Sequence, residues 1–154
     1  MLRSSGQAPN TLLLLTIPEP LPLTTRSEIL YLTFQQSFQI EKKALLNRFK
    51  VCTREYIYGL EDESNQEILQ FHWHPETTPD VLFPHLHIKA GAGRSIRSEI
   101  LKAHFRTDRI AFEEFALLLI NGFGVIPDRK DAPEVLSSNL KRFVDHRSWH
   151  YYSG

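Results

Sequence analysis

Cysteine is nearly absent from this chain of 154 residues, in which Cys52 is the only one. A single cysteine excludes an internal disulfide and a zinc cluster built on several thiolates. It is also typical of proteins that work in a reducing compartment, so we expect a cytoplasmic protein. Cys52 itself is interpreted as a buried structural thiol, because no pattern places a base beside it.

The chain also lacks an excess of charge of one sign, since 18 basic residues balance 18 acidic ones. No broad electrostatic field attracts nucleic acid, and any such binding would depend on a local patch. Long hydrophobic runs are missing as well: the run at residues 12–17 is too short to span a bilayer. We therefore expect no membrane partner.

A proline-rich segment opens the chain. Pro18, Pro20 and Pro22 stand at every second position, which forbids a helix there. We interpret residues 1–26 as an N-terminal arm and residues 27–154 as a single domain, which is long enough to bury a core of its own. Residues 12–17 would be either an edge strand or a hydrophobic tether for a partner, and both alternatives stay open.

Strand patterns dominate the first half of the domain. Residues 29–38 have strand composition, and the following EKKALLNRF favours a helical or irregular turn. Three further segments, at residues 51–60, 66–74 and 86–90, predict an antiparallel meander. Helices are predicted after it: one from Ser95 with His104 facing the sheet, one at residues 110–121 ended by Gly122, and one from Asp131. The prediction is an α+β fold, with a small antiparallel sheet packed against about three C-terminal helices.

Four of the seven histidines lie in FHWHPETTPDVLFPHLHI, residues 71–88. Because side chains alternate along a strand, His72 and His74 share one face, and so do His85 and His87. If the two segments pair as a hairpin, the four imidazoles lie on one side and apolar residues on the other. The sequence thus predicts a histidine patch backed by a core.

A metal site is the first use of such a patch. Neutral imidazoles are good ligands for divalent transition metals, and two HxH pairs offer up to four nitrogens. Glu76 or Asp80, in the connecting loop, would be able to add a carboxylate.

Acid and base catalysis without a metal is the second use. One imidazole removes a proton while another donates one, which suits cleavage of RNA through its own 2′-hydroxyl. Arginines and a lysine follow the patch and would stabilise a phosphate: Lys89, Arg94, Arg97, Arg106 and Arg109.

A structural role is the third interpretation. Ring nitrogens that hydrogen-bond to backbone carbonyls would fix the loop between Pro75 and Pro84, which fits a non-catalytic binding module. The three interpretations stay open at the level of the residues.

The motifs HWHP, PHLHI, AHF-x-T-x-R and FEEFALLLINGFGV together resemble a family of small uncharacterised bacterial proteins with the pattern HWHP, PHLH, AHxPTGR and LLIxEFGV. The resemblance covers residues 56–149, and the chain is more distantly similar to the TumE toxins of toxin-antitoxin systems. Arg106 and Asp108 depart from the pattern, which has proline and glycine there.

The resemblance implies a toxin-like or defence-associated protein, with RNA or another nucleic acid as substrate and a protein such as an antitoxin as partner. The implied function is a ribonuclease in which His85 or His87 is the base, a histidine of the other strand is the acid, and Arg109 is the phosphate clamp. The alternatives are a non-catalytic subunit of such a complex and a metal-dependent hydrolase with a divalent transition metal. The candidate site residues are His72, His74, His85, His87, His104 and Arg109.

Overall fold

The computed structural model describes residues 12–43, 48–75, 81–93 and 96–147. These residues form a seven-stranded sheet and three α-helices, and the helices lie in the C-terminal half. The predicted α+β fold is confirmed. The strands are β1 Leu12–Thr16, β2 Leu21–Thr24, β3 Ile29–Lys43, β4 Arg48–Glu61, β5 Glu67–Trp73, β6 His85–Ile88 and β7 Phe105–Arg106. The helices are α1 Ser98–Lys102, α2 Phe112–Phe123 and α3 Ala132–His146.

The strands follow the spatial order β1, β3, β4, β5, β6, β7, and β2 also pairs with β3. Every pairing is antiparallel. The predicted meander is therefore present as β4, β5 and β6. Of the residues assigned to the N-terminal arm, 12–16 and 21–24 add two strands to the same sheet, while residues 1–11 lie outside the described part.

The long hairpin of β3 and β4 corrects one prediction. Residues 39–43 do not form a helical or irregular turn, because β3 continues to Lys43, which pairs with Arg48, and the rest of the predicted turn, residues 44–47, lies outside the described residues. Pairing with β4 overrides the weak helical preference of Glu41–Lys43, since strand formation depends mainly on cross-strand partners. The register shifts between Ser37 and Phe38, where a bulge separates the two halves of the hairpin.

The core lies on one face of the sheet, called here the inner face. Tyr56, Tyr58 and Leu60 alternate along β4 and are all buried, as their period of two predicted. Helix α2 covers them with Phe115 and Leu119, and the ring of Phe115 stacks 5.8 Å from that of Tyr58. Truncating a buried phenylalanine of this kind to alanine typically costs about 3–5 kcal/mol. Because the core packs on the inner face, the histidines of β5 and β6 lie on the opposite, outer face.

Local signals set the ends of α2 and α3. Glu114 accepts a hydrogen bond from the backbone N–H of Ala111 at 2.7 Å, which satisfies one of the unpaired donors where α2 begins. The C-cap of α2 is Gly124, whose φ of 69° is left-handed, and the predicted terminator Gly122 lies inside the helix. Helix α3 begins after Asp131, as predicted, with proline in its first turn.

The first predicted helix is shorter than expected. Helix α1 covers only Ser98–Lys102, and the predicted N-cap Ser95 lies outside the described residues. His104 is not on a helix, because the chain returns to the sheet and forms β7, where Arg106 pairs with His85. No helix in the described ranges is long and apolar enough to cross a membrane.

Candidate metal centre

Five histidines converge on the outer face of the sheet, opposite the core. His72 on β5 stands directly across from His85 on β6, and the predicted hairpin with both HxH pairs on one face is confirmed. The ring centroids of His85 and His87 are 4.8 Å apart, and those of His87 and His104 are 4.4 Å apart. His74 completes the group at 5.6 Å from His72. We call these five residues the histidine cluster.

The histidine cluster contains two sets of three potential ligands. The first is His72, His74 and His85, the second is His85, His87 and His104, and in each set the ligand nitrogens lie within 4.8 Å of one another. A tetrahedral ion with nitrogen ligands at 2.0–2.1 Å places those nitrogens about 3.4 Å apart. Side-chain adjustments of about an ångström would therefore close either set around an ion.

His85 belongs to both sets, and it is almost fully buried, with 1% of its surface exposed. Its Nδ1 lies 3.0 Å from the carbonyl oxygen of Phe83, so Nδ1 carries the proton and donates to that carbonyl. The lone pair is then on Nε2. Because one lone pair binds one ion, the two sets compete for His85 and only one of them can be filled at a time.

The tautomer of His72 is fixed by a chain of polar side chains. Its Nε2 lies 2.7 Å from Oε1 of Gln70, and the amide nitrogen of Gln70 donates to Glu67. The ammonium group of Lys89 is 3.7 Å from the other oxygen of Glu67. Since the amide nitrogen faces Glu67, the amide oxygen accepts from His72, whose lone pair is therefore on Nδ1.

His87 has a buried nitrogen in need of a partner. The residue is 8% exposed, and its Nδ1 has no hydrogen-bond partner within the described ranges. An unsatisfied buried ring nitrogen costs about 1–3 kcal/mol, and coordination of an ion would satisfy it. This atom fits a metal ligand better than a purely structural histidine.

Burial keeps three of these imidazoles neutral. Desolvation, reinforced by the neighbouring histidines, lowers the pKa of His72 to about 3. Desolvation, with Lys89 as the next cause, lowers the pKa of His87 to about 4. The pKa of His85 is also lowered by burial, although its bond to Phe83 opposes the shift. The neutral imidazole is the form that coordinates a metal, whereas a general acid must begin protonated.

Arg109 does not join the histidine cluster. Its guanidinium carbon lies 3.3 Å from the ring centroid of Trp73, whose side chain belongs to the inner face. Among the described residues, the cations beside the cluster include Arg106, which stands opposite His85 in the sheet, and Lys89. Arg97 is exposed at the start of α1. Three other residues considered from the sequence, Glu76, Asp80 and Arg94, lie outside the described residues.

Sequence reasoning missed Gln70 and Gly59. Gln70 lies on the same face of β5 as His72 and stands opposite both His87 and Gly59 in the neighbouring strands. The alternation of side chains along β5 would have predicted that Gln70 lies beside His72. A Cβ on Gly59 would collide with the hydroxyl of Thr33 and lie 3.2 Å from the Gln70 side chain. The glycine therefore makes room for the amide that orients His72.

Comparison of the chain with protein-family models, curated proteins and solved structures gave no match. The resemblance to the small bacterial family and to the TumE toxins stays a prediction. Function is therefore inferred from the side chains of the site.

Proposed function

We propose that this protein is a metal-dependent hydrolase whose divalent transition-metal ion is bound by His85, His87 and His104. The observation that carries the proposal is the convergence of these three imidazoles, two of which, His85 and His87, have a pKa lowered by burial. Imidazole ligands suit zinc, copper, nickel and iron, whereas magnesium and calcium prefer oxygen. Within the described residues, no carboxylate belongs to either ligand set.

The second set, His85, His87 and His104, fits an ion better than the first set does. Its three ring centroids are separated by 4.4 to 5.0 Å, against 5.5 to 5.7 Å in the set of His72, His74 and His85. It also contains the buried Nδ1 of His87 that lacks a partner within the described ranges. His104 is exposed, so this set borders on solvent.

Three protein ligands favour catalysis over a structural role, because catalytic zinc sites leave one position for water or substrate. A bound ion would supply Lewis acidity. The imidazoles of His72 and His74 would lie beside the ion without binding it, and the low pKa of His72, about 3, makes His72 a poor base for the attacking water. Hydrolysis then forms one bond from the water oxygen and breaks the bond to the leaving group, which takes up a proton.

The surroundings favour an anionic substrate. Arg106 is exposed and stands beside His85 in the sheet, and Lys89 lies close enough to affect the pKa of His72 and His87. Because Lys89 is paired with Glu67, Arg106 would balance the charge of a bound phosphodiester. RNA is therefore the first substrate to test, in a toxin-like or defence-associated role. Its cytoplasmic setting and an antitoxin partner stay predictions.

The proposal is tested with untagged protein that has been stripped of metal and then reloaded with Zn²⁺, Co²⁺, Ni²⁺ or Mn²⁺. RNA and bis(p-nitrophenyl) phosphate are the substrates, and His85→Ala is compared with His146→Ala. His146 is the matched control because it is exposed on α3 and its Nδ1 donates to the carbonyl of Arg142 at 2.8 Å.

We expect hydrolysis that needs the added ion, is lost in His85→Ala and persists in His146→Ala. Cleavage of RNA by the stripped protein in the presence of chelator would contradict the proposal and support the metal-free acid and base pair. Binding of an ion without hydrolysis of either substrate would contradict the hydrolase and favour a binding role.

A further inference from the structure

A large cavity lies on the inner face of the sheet, away from the histidine cluster. Its volume is about 1070 Å³, and Tyr56, Tyr58 and Trp73 are among its lining residues. Trp73 follows His72 along β5, and successive side chains of a strand point to opposite faces. The cavity is therefore separate from the proposed metal centre, and it is at the upper end of the size range of small-molecule sites, about 300–1,000 Å³.

The walls of the cavity are mainly aromatic and apolar. Besides the three residues named above, the rings that line it are those of Phe34, Phe49, Phe112 and Phe143. Phe49 and Val51, on the cavity side of β4, are 72% and 60% exposed. Large apolar side chains grouped around a concave surface mark a binding site more often than isolated ones do. The walls suit a ligand with a flat apolar body.

The polar groups of the cavity favour a negative charge on that ligand. Among the described lining residues, four side chains are cationic and two are acidic, Glu41 and Glu113. Glu41 is paired with Arg54 at 2.9 Å, and the other three lining cations are Lys50, Arg109 and Arg147. Arg109 lies against the face of Trp73 and presents a planar guanidinium, which suits a carboxylate or sulfonate.

Tyr56 adds a neutral donor to the same cavity. Its hydroxyl oxygen accepts the backbone N–H of Ile110 at 3.1 Å, so its own proton can be donated to another oxygen. Burial raises the pKa of Tyr56 to about 12, so the hydroxyl stays protonated and able to donate at neutral pH. A ligand oxygen in the cavity would accept this proton.

We infer that this cavity binds a small amphipathic organic anion, with an aromatic body against the apolar walls and an acidic group beside Arg109 and Tyr56. The inference is independent of the proposed hydrolase activity, because it concerns the opposite face of the sheet.

The test compares two fluorescent probes of nearly the same shape. 1-Anilinonaphthalene-8-sulfonate carries a sulfonate, and N-phenyl-1-naphthylamine is its uncharged counterpart. We expect the anion to bind about tenfold more tightly or better, the gain typical of a charge-assisted hydrogen bond. Arg109→Gln should remove this preference and retain binding of the neutral probe. Lys130→Gln, an exposed change between α2 and α3, should leave both affinities unchanged.

Cys52 reports whether the probe occupies this cavity. It is the only cysteine of the chain, it lines the cavity, and it is only half-buried, so the prediction of a buried thiol is wrong. Burial and the neighbouring Glu41 raise the pKa of Cys52, so alkylation with iodoacetamide is followed at alkaline pH. The anionic probe should slow the alkylation.

Equal affinity for the two probes would overturn the inference, and so would binding that leaves the alkylation rate of Cys52 unchanged. An Arg109→Gln variant that keeps the preference for the anion would overturn it as well. Circular dichroism of each variant shows whether the fold is retained, and Lys130→Gln measures the effect of simply removing one surface cation.

Discussion

His85 and Phe83 are joined by a hydrogen bond of 3.0 Å from Nδ1 of the imidazole to the backbone carbonyl oxygen. This bond leaves Nε2 as the single coordinating nitrogen of a residue that belongs to both ligand sets. The histidine cluster therefore offers two sets of ligands but room for one ion at a time.

The first prediction follows from the shared position of His85. Replacing it by alanine removes one ligand from both sets, so affinity for Zn²⁺ should fall by at least about 100-fold. His146→Ala should bind as tightly as the parent, because His146 lies on α3, outside both sets. Competition with a chelator of known affinity measures the change. An unchanged affinity in His85→Ala would contradict the assignment of the ligands.

A second pair of variants separates the two ligand sets. His104→Ala should lose about 100-fold in affinity, whereas His74→Ala should lose less than about tenfold, because only His104 belongs to the proposed set. His104 is exposed, and its loss should leave the free energy of unfolding nearly unchanged. Calorimetric titration measures both affinities. If His74→Ala lost more affinity than His104→Ala, the ion would be assigned to His72, His74 and His85 instead.

Stability of the metal-free protein should depend on pH. The pKa values of His72 and His87 are lowered to about 3 and about 4 by burial, from an ordinary value of 6.5. Between 6.5 and those values the unfolded chain binds more protons than the folded one, so the free energy of unfolding falls as the pH falls. Urea unfolding in chelator at several pH values measures this slope.

His87→Gln should flatten that slope, because it removes one of the buried imidazoles that gain a proton on unfolding. A stability that stays constant or rises on acidification through this range would contradict the burial of neutral imidazoles.

Gly59 should be intolerant of a side chain. Its Cβ would collide with the Thr33 hydroxyl and press on Gln70, so Gly59→Ala should cost about 1–3 kcal/mol in free energy of unfolding. Gly122→Ala is the control, since its Cβ meets only Leu118 Cδ1, at 3.2 Å. Alanine there favours helix α2 by up to about 1 kcal/mol. Equal effects in chemical denaturation would refute the close packing at Gly59.

The fold was predictable from the sequence in those strands where every second side chain is buried in the core. Tyr56 and Tyr58 share a face because the core requires it, and the same alternation placed His72 beside His85. The extension of β3 to Lys43 was not predictable, because its cause is the pairing with β4 rather than local composition.

The site was predictable only in part, for a similar reason. The alternation along β5 and β6 predicted four of the five clustered histidines. His104 joins them because β7 returns the chain to β6, and its predicted helical setting was wrong. Sequence order placed Arg109 near the histidines, but its contact with Trp73 holds it on the inner face. The side chains that orient an imidazole, such as Gln70, depend on cross-strand register, which the sequence alone does not settle.

The measurement that tests the central claim most directly is the stoichiometry of Co²⁺ binding to untagged protein, followed by absorption spectroscopy and elemental analysis. One ion per chain, with the spectrum of a nitrogen-ligated tetrahedral site that disappears in His85→Ala, is the result we expect. Two ions per chain would show that His85 is not shared. No bound ion at saturating Co²⁺ would show that the histidine cluster is not a metal centre.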